Sequence, residues 1–81
     1  MKLPRDVSGR DLARAFHRLG YRIDHQTGSH IRLVRDSATG TQGLTIPAHS
    51  TLKVGTLNSI LKLAGEQLSI ARDELLQRLF G

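Results

Sequence analysis

The sequence of 81 residues contains no cysteine. Disulfide bonds and thiolate metal sites are therefore excluded, and a reducing compartment, the cytoplasm, is expected. No apolar run approaches the roughly 20 residues that span a bilayer, and the first residues lack the apolar region of a signal peptide. We expect a single domain over residues 1–81 and no contact with a membrane, because so short a chain has material for one hydrophobic core only.

Metal ligands are also scarce and scattered. The four histidines include no pair at the helical i, i+4 spacing, and the acidic residues form no cluster of the kind that two-metal nucleases use. Ser29 and His30 are neighbours, so on a strand their side chains would point to opposite faces and could not act as a nucleophile–base pair. We therefore expect no metal and no cofactor, which leaves metal-independent acid–base chemistry by histidine.

Acidic residues are few relative to basic ones. Twelve Lys and Arg against seven Asp and Glu give a net charge of +5, with a sequence pI near 10.8. Most of the excess lies in residues 1–40, where arginine dominates, and its forked guanidinium suits bidentate contacts with phosphate. The charge indicates a phosphate-rich partner, although an acidic protein partner or a merely solvated basic surface would have the same composition.

The hydrophobic spacing predicts a helix over residues 8–19, with Ser8 as N-cap and Gly20 just past its end. A period of two follows in YRIDHQ, SHIRLVR and LTIP, which are separated by polar, glycine-containing segments. A second helix is predicted over TLNSILKLAG, stopping at Gly65, and a third over SIARDELLQRLF, capped by Ser69. The sequence thus predicts an α+β fold: a helix, a three-stranded antiparallel meander and two further helices, packed as a two-layer sandwich.

The alternation assigns the strand residues to two faces of this sheet. The inner face, packed on the helices, is predicted to hold Tyr21, Ile23, Ile31, Leu33, Leu44 and Ile46. The outer face is predicted to be bare and basic and to hold Arg22, Asp24, His30, Arg32 and Thr45. His25 shares the parity of Tyr21 and Ile23 and is expected to be structural or half-exposed. A winged-helix DNA-binding domain ranks second as a fold. Such a domain usually has several helices before its wing hairpin, whereas only one helix is predicted before the strands here.

RNA carries its own nucleophile, the 2′-hydroxyl. A protein that cleaves it needs only a proton acceptor or donor and cations near the developing charge on phosphorus. His30 with Arg32 or Lys53 nearby would meet this requirement, while an ordinary polar strand position is the alternative for His30. His17 is expected to be solvated on the first helix, and His49 lies in the loop after the third strand, where functional residues are common.

The motifs GSH at 28–30, IPAH at 46–49 and LKVGTLNSILKLAG at 52–65 resemble the HicA toxin family of bacterial toxin–antitoxin modules. The helix ending in LGY and the tail SIARDELLQRL fit the same pattern, so the resemblance covers nearly the whole chain. It implies a fold similar to double-stranded-RNA-binding domains and a metal-independent endoribonuclease, an mRNA interferase that cleaves mRNA and arrests translation. It also implies a HicB-like antitoxin that binds over the active surface.

The resemblance places the catalytic histidine, a general acid or base, at His30. Gly28 would hold the turn that presents it, and Ser29 would flank it. Gly55 would lie near the start of the second helix, where a helix N-terminus favours phosphate, with Lys53 beside it. The residues predicted to bind RNA are Gly28, Ser29, Arg32, Arg22, Lys53, Gly55 and His49.

At one position the chain departs from the family pattern. Ile31 stands where many members have another polar residue or a histidine, so His49 is the candidate for assisting proton transfer, with a structural loop role equally open. Two other functions stay open as well. One is a non-catalytic double-stranded-RNA or DNA binder using the same basic surface, and the other is a protein-interaction module that docks through its last helix.

Overall fold

The computed structural model describes residues 3–81. Its elements in chain order are α1 (Gly9–His17), β1 (Arg22–Thr27), β2 (His30–Ser37), β3 (Gly40–Pro47), α2 (Val54–Leu68) and α3 (Arg72–Phe80). The strands form one antiparallel sheet in the order β1-β2-β3. The predicted α+β class, the meander and the order of the elements are confirmed.

The start of α1 follows from a side-chain cap. The Ser8 hydroxyl accepts a hydrogen bond from the backbone N–H of Asp11 at 3.0 Å, as predicted for an N-cap. The helix ends at His17, two residues earlier than expected, and a turn leads to Gly20. Gly20 has φ = 91°, a conformation that favours glycine, so the chain can reverse there into β1.

The ends of the later helices differ from the prediction. Gly65 does not stop α2, which continues to Leu68, and Ser69 takes the left-handed conformation with φ = 55°. The N–H of Ile70 then donates to the Gly65 carbonyl at 3.1 Å, closing the helix end. Ser69 therefore ends α2 rather than capping α3, whose N-cap is Ala71.

The hydrophobic core lies between the inner face of the sheet and the helices. Of the residues predicted on that face, those that are buried in the core are Tyr21, Ile31, Leu33, Leu44 and Ile46. The helices contribute Leu12, Phe16, Leu57, Leu61, Leu75 and Leu76, all nearly inaccessible to solvent. Two-layer packing of helices on one face of a meander is the arrangement expected of such amphipathic elements.

The prediction that Ile23 is buried is wrong. Ile23 lies opposite the buried Leu33, but its side chain is 61% exposed. The physical reason is its position on β1, an edge strand, where α1 leaves an open groove lined by residues that include Ala13, His17 and Ile23. Parity within a strand reports the face of a side chain, but not whether a helix extends far enough to cover it.

A β-bulge interrupts the alternation of β1. Ile23 lies opposite Leu33 and His25 lies opposite Arg32, so Asp24 is an extra residue between two consecutive partners on β2. The carboxylate of Asp24 contacts Nδ1 of His25 at 2.7 Å, which neighbouring side chains on a regular strand could not do. His25 therefore shares the face of Arg32, and not that of Ile23 as its position in the sequence suggested.

A chain of hydrogen bonds joins the end of α2 to the sheet. The hydroxyl of Tyr21 donates to Oε1 of Gln67 at 2.7 Å, and Nε2 of Gln67 donates to the carbonyl of Gly43 at 2.8 Å. Gln42 donates to the backbone carbonyl of Gln67 at 3.2 Å and accepts from Arg35 at 2.8 Å. These bonds satisfy the buried polar groups beside the core and hold α2 in register with β3.

Candidate active site

A two-residue turn, Gly28 and Ser29, joins β1 to β2. Gly28 has φ = 57°, and a Cβ built on it would meet nothing within 4 Å, so the backbone conformation and not the space is what favours glycine. A glycine at the first central position is typical of the turns that match the twist of a hairpin. The side chain of Gln26 donates to the Gly28 carbonyl at 3.0 Å and closes the turn.

The first residue of β2 after this turn is His30. It lies opposite Thr27 of β1 on one side and opposite Pro47 of β3 on the other, at the end of the middle strand. Its side chain is exposed, and the ring makes no hydrogen bond to any other residue among residues 3–81. Both ring nitrogens are therefore available to a molecule that binds from outside.

Arg32 lies two residues further along β2, on the same face as His30 and roughly 7 Å away along the strand. Its Nη1 donates to the hydroxyl of Thr45, its partner on β3, at 3.1 Å. The guanidinium occupies the space over Gly43, where a Cβ would overlap it. Since a guanidinium has five N–H donors, the others can still bind a phosphate.

We call the uncovered side of the sheet the open face. It comprises Arg22, His25, Thr27, His30, Arg32, Val34, Asp36, Thr41, Gly43, Thr45 and Pro47. None of these residues belongs to the core cluster, and only Val34 among them is buried. The structure thus brings the turn, His30 and Arg32 together at one end of an accessible surface.

Arg22, which was also predicted to bind RNA, lies at the other end of the open face. It is opposite Val34, four residues along β2 from His30, which corresponds to roughly 13 Å. Its guanidinium contacts the carboxylate of Asp36 at 3.2 Å, and both side chains are more than half exposed. Arg22 is therefore too distant to act at the same phosphate as His30.

The segment after β3 is tied to the turn and to the start of α1. The N–H of Ala48 donates to the Ser29 carbonyl at 2.6 Å, and the carbonyl of His49 accepts from the N–H of Gly9 at 2.9 Å. A Cβ on Gly9 would overlap the carbonyl of Pro47, so the two segments are in close backbone contact. This brings His49, whose side chain is exposed, to the same end of the sheet as His30.

Lys53 and Gly55 lie at the start of α2, outside the sheet. Lys53 is the N-cap, makes no side-chain capping bond, and no acidic residue occupies the first turn. Gly55 is exposed, and a Cβ there would meet nothing within 4 Å. No neighbouring atom within the described part of the chain thus requires glycine at this position, while the unpaired N–H groups of a helix start favour an anion.

His25 is the residue on the open face that the sequence alternation misplaced. It lies opposite Arg32, and its side chain is 60% exposed. The bulge absorbs Asp24 as an extra residue and so leaves His25 on this face, and no short motif in the sequence marks that bulge.

Across residues 3–81, His, Asp and Glu side chains form no group of three or more that could hold a metal ion. None of the helices in the described part of the chain is both long and apolar enough to cross a bilayer. A family model described as the HicA toxin of bacterial toxin–antitoxin systems matches residues 9–66, a range that contains α1, the whole sheet and most of α2. No curated protein and no solved structure matches the chain.

Proposed function

Because the chain belongs to the HicA toxin family of bacterial toxin–antitoxin systems, we propose that it is a metal-independent endoribonuclease, an mRNA interferase that arrests translation in the cytoplasm. The observation that carries the proposal is the position of His30. Its ring is exposed at the end of the middle strand, has no hydrogen-bond partner in the described part of the chain, and has Arg32 two residues away on the same face.

In the proposed reaction the 2′-hydroxyl of the RNA attacks the adjacent phosphorus. His30 transfers a proton as general acid or base, a contribution worth roughly 10²- to 10⁴-fold in rate. Arg32 offsets the extra negative charge that the phosphorus oxygens gain in the transition state, since its guanidinium is held beside Thr45 at 3.1 Å and does not have to be ordered on binding.

The other residues predicted to bind RNA would hold the RNA chain on either side of the bond that is cleaved. Gly28 and Ser29 let the RNA backbone approach the turn closely, because neither carries a bulky side chain. Lys53 and Gly55 supply a cation and free N–H groups at the start of α2. Arg22, at the far end of the open face, would bind a more distant phosphate.

Membership of a toxin–antitoxin family implies an antitoxin partner. We propose that this partner is a HicB-like protein that covers the open face and so blocks access of mRNA to His30. The two arginines of the open face, Arg22 and Arg32, favour an antitoxin surface with acidic groups opposite them.

The test compares cleavage of labelled RNA by the wild type and by His30→Ala. We expect the variant to lose at least 10²-fold in rate and to lose growth arrest in cells, with an unchanged thermal unfolding curve, because the side chain is exposed. His17→Ala is the matched control, because His17 lies on α1 and not on the open face. This variant should cleave RNA at the wild-type rate. EDTA is expected to have no effect on either protein.

Unchanged cleavage by His30→Ala would disprove the role of His30. Salt-dependent RNA binding by a wild type that produces no cleavage would favour the non-catalytic binder instead. The protein-interaction module would be favoured if RNA affinity vanished above low salt while an antitoxin still bound.

A further inference from the structure

The bulge in β1 gives the open face a second histidine with an unusual partner. In a regular strand Asp24 and His25 would point to opposite faces, but here the Asp24 carboxylate lies 2.7 Å from Nδ1 of His25. Bulges re-aim single side chains and are frequent beside active sites. The bulge thus places an oriented imidazole on the open face, the surface proposed above to cleave RNA through His30.

The partner determines which nitrogen of His25 is free. An ionised carboxylate can only accept hydrogen bonds, so Nδ1 of His25 carries the hydrogen and donates it to Asp24. Nε2 of the neutral ring then bears the lone pair and can accept a proton from a substrate. His30 has no carboxylate partner among residues 3–81, so the two histidines are in different environments.

His25, His30 and Arg32 occupy adjoining positions on β1 and β2. His25 is directly opposite Arg32, and His30 precedes Arg32 by two residues, so the two histidines are diagonal neighbours across the strand pair. Diagonal neighbours have Cα atoms about 7–8 Å apart. That spacing lets two long side chains reach opposite sides of one phosphate, with the guanidinium of Arg32 next to both.

We propose that His25 is a second catalytic residue of this site, the general base, and that Asp24 is its positioning residue. The inference rests on the proposed ribonuclease function and deepens it. Nε2 of His25 takes the proton of the 2′-hydroxyl as the 2′-oxygen forms a bond to phosphorus. The bond from phosphorus to the 5′-oxygen breaks, and protonated His30 gives its proton to that oxygen. The products are a 2′,3′-cyclic phosphate and a 5′-hydroxyl.

This assignment replaces His49 as the assisting group. The carbonyl of His49 is engaged with Gly9, but its ring is exposed and has no carboxylate to fix its tautomer in the described part of the chain. His25 has both the orientation and the shared face that His49 lacks. A base and an acid on two strands also fit an in-line displacement, in which the entering and leaving oxygens lie on opposite sides of phosphorus.

The first experiment measures cleavage of labelled RNA by His25→Ala over a range of pH. We expect a loss of about 10²-fold at neutral pH with unchanged RNA affinity, because the group acts on the proton and not on binding. The rise in rate on the acidic side of the wild-type profile, which reports deprotonation of the base, should disappear. The charged or titratable groups that face His25 are Asp24, Arg22, Arg32 and His30. All four are kept unchanged in His25→Ala, so that the change in the pH–rate profile is due to His25 alone.

Asp24→Asn tests the positioning role. The amide oxygen can still accept from Nδ1, but it binds the imidazole less strongly than a carboxylate does, so the ring is held less firmly in one orientation. We expect kcat to fall, with KM and the unfolding curve unchanged. A purely structural role for Asp24 would change the unfolding curve and leave kcat of the folded variant at the wild-type value.

The second experiment separates the base from the acid. A short oligoribonucleotide containing the wild-type cleavage site is made with sulfur in place of the scissile 5′-oxygen, because a thiolate leaves without needing a proton. His30→Ala should cleave this substrate at close to the wild-type rate, whereas His25→Ala should remain at least 10²-fold slower. Both side chains are exposed, so both variants are expected to unfold like the wild type.

Wild-type cleavage with an inactive His30→Ala and a fully active His25→Ala would overturn this inference and leave the proposed function standing. Rescue of His25→Ala and not His30→Ala by the sulfur substrate would overturn the assignment of His25 as base. A wild-type protein that cleaves no RNA would remove both proposals together.

Discussion

Tyr21 combines hydrophobic packing with a polar contact across the molecule. Its ring meets that of Phe16 edge to face, with centroids 5.3 Å apart, and only 1% of its surface is exposed. Its hydroxyl donates to Gln67 at 2.7 Å. The residue therefore ties the turn after α1 to the end of α2 through one side chain.

Tyr21→Phe keeps the ring and removes this hydrogen bond. We expect the free energy of unfolding to fall by about 1 kcal/mol, because Oε1 of Gln67 loses its donor while the packing remains. Urea denaturation at neutral pH measures the change. A variant as stable as the wild type would mean that water replaces the hydroxyl at no cost.

The same residue predicts a dependence on pH. Burial raises the pKa of Tyr21 above its usual value of 10.0, and the positive charge of Arg35 offsets this in part. The neutral phenol is favoured in the folded state, so its stabilising contribution is complete below pH 10 and is lost as pH rises toward the folded pKa. Above pH 10 the wild type should lose stability more steeply than Tyr21→Phe, which has no such group.

At the residue scale, the site was predictable wherever the strand is regular. The period of two placed His30 and Arg32 together on the outer face, because β2 itself has no extra residue and pairs with β3 in an unbroken register. The same reasoning failed for His25, since Asp24 is an extra residue and the alternation counted along the sequence is reversed after it. That the resemblance marks His30 as catalytic stays a prediction.

At the scale of the elements, the start of α1 and the end of β3 are in close backbone contact. The N–H of Gly9 donates to His49 at 2.9 Å, and the residue is buried. A Cβ on Gly9 would overlap the Pro47 carbonyl, which is backbone and cannot rotate away. Because Pro47 lies opposite His30, the contact also fixes one side of the candidate site.

Gly9→Ala is therefore expected to reduce the free energy of unfolding by roughly 1–3 kcal/mol, as overpacking of a rigid contact does. Gly55→Ala is the matched control, since the added methyl group meets nothing within 4 Å. It should leave stability unchanged or raise it by up to about 1 kcal/mol, the helix preference of alanine over glycine. Urea denaturation of both variants decides the matter, and equal effects would contradict the proposed packing.

The sequence predicted the existence and order of the elements but not these boundaries and contacts. Amphipathic periodicity is a property of a local segment, so α1 and the strands could be recognised from it. The overlap at Gly9 depends on a neighbour about 40 residues away, and the exposure of Ile23 depends on how far α1 covers the edge strand. Neither the overlap at Gly9 nor the exposure of Ile23 can be predicted from the residues that adjoin it in the sequence.

At the scale of the whole molecule, the net charge of +5 favours binding to RNA, which is a polyanion. We expect this binding to weaken as the salt concentration rises, and we expect the contacts responsible to lie on the open face. With His30→Ala as the cleavage-free background, Arg32→Gln should reduce the slope of log K against log salt by about 1. Arg78→Gln is the control, because Arg78 lies on α3 and is paired with Glu74 at 2.8 Å.

Binding titrations at three or more salt concentrations measure these slopes. If Arg78→Gln reduced the slope as much as Arg32→Gln, the RNA would not be confined to the open face. The core of the described residues draws on all three helices and the sheet. That residues 1–81 form one domain stays a prediction.

The bulge has a consequence for how such a site can arise. If residue 24 were deleted, Ile23 and His25 would lie opposite Leu33 and Arg32 as consecutive pairs, and the ladder of β1 would be unbroken. The insertion of a single codon is thus enough to place a carboxylate beside His25 without changing any other strand pairing. The open face can in this way gain a charged partner for an existing histidine in one genetic step, at an edge strand where the core is not disturbed.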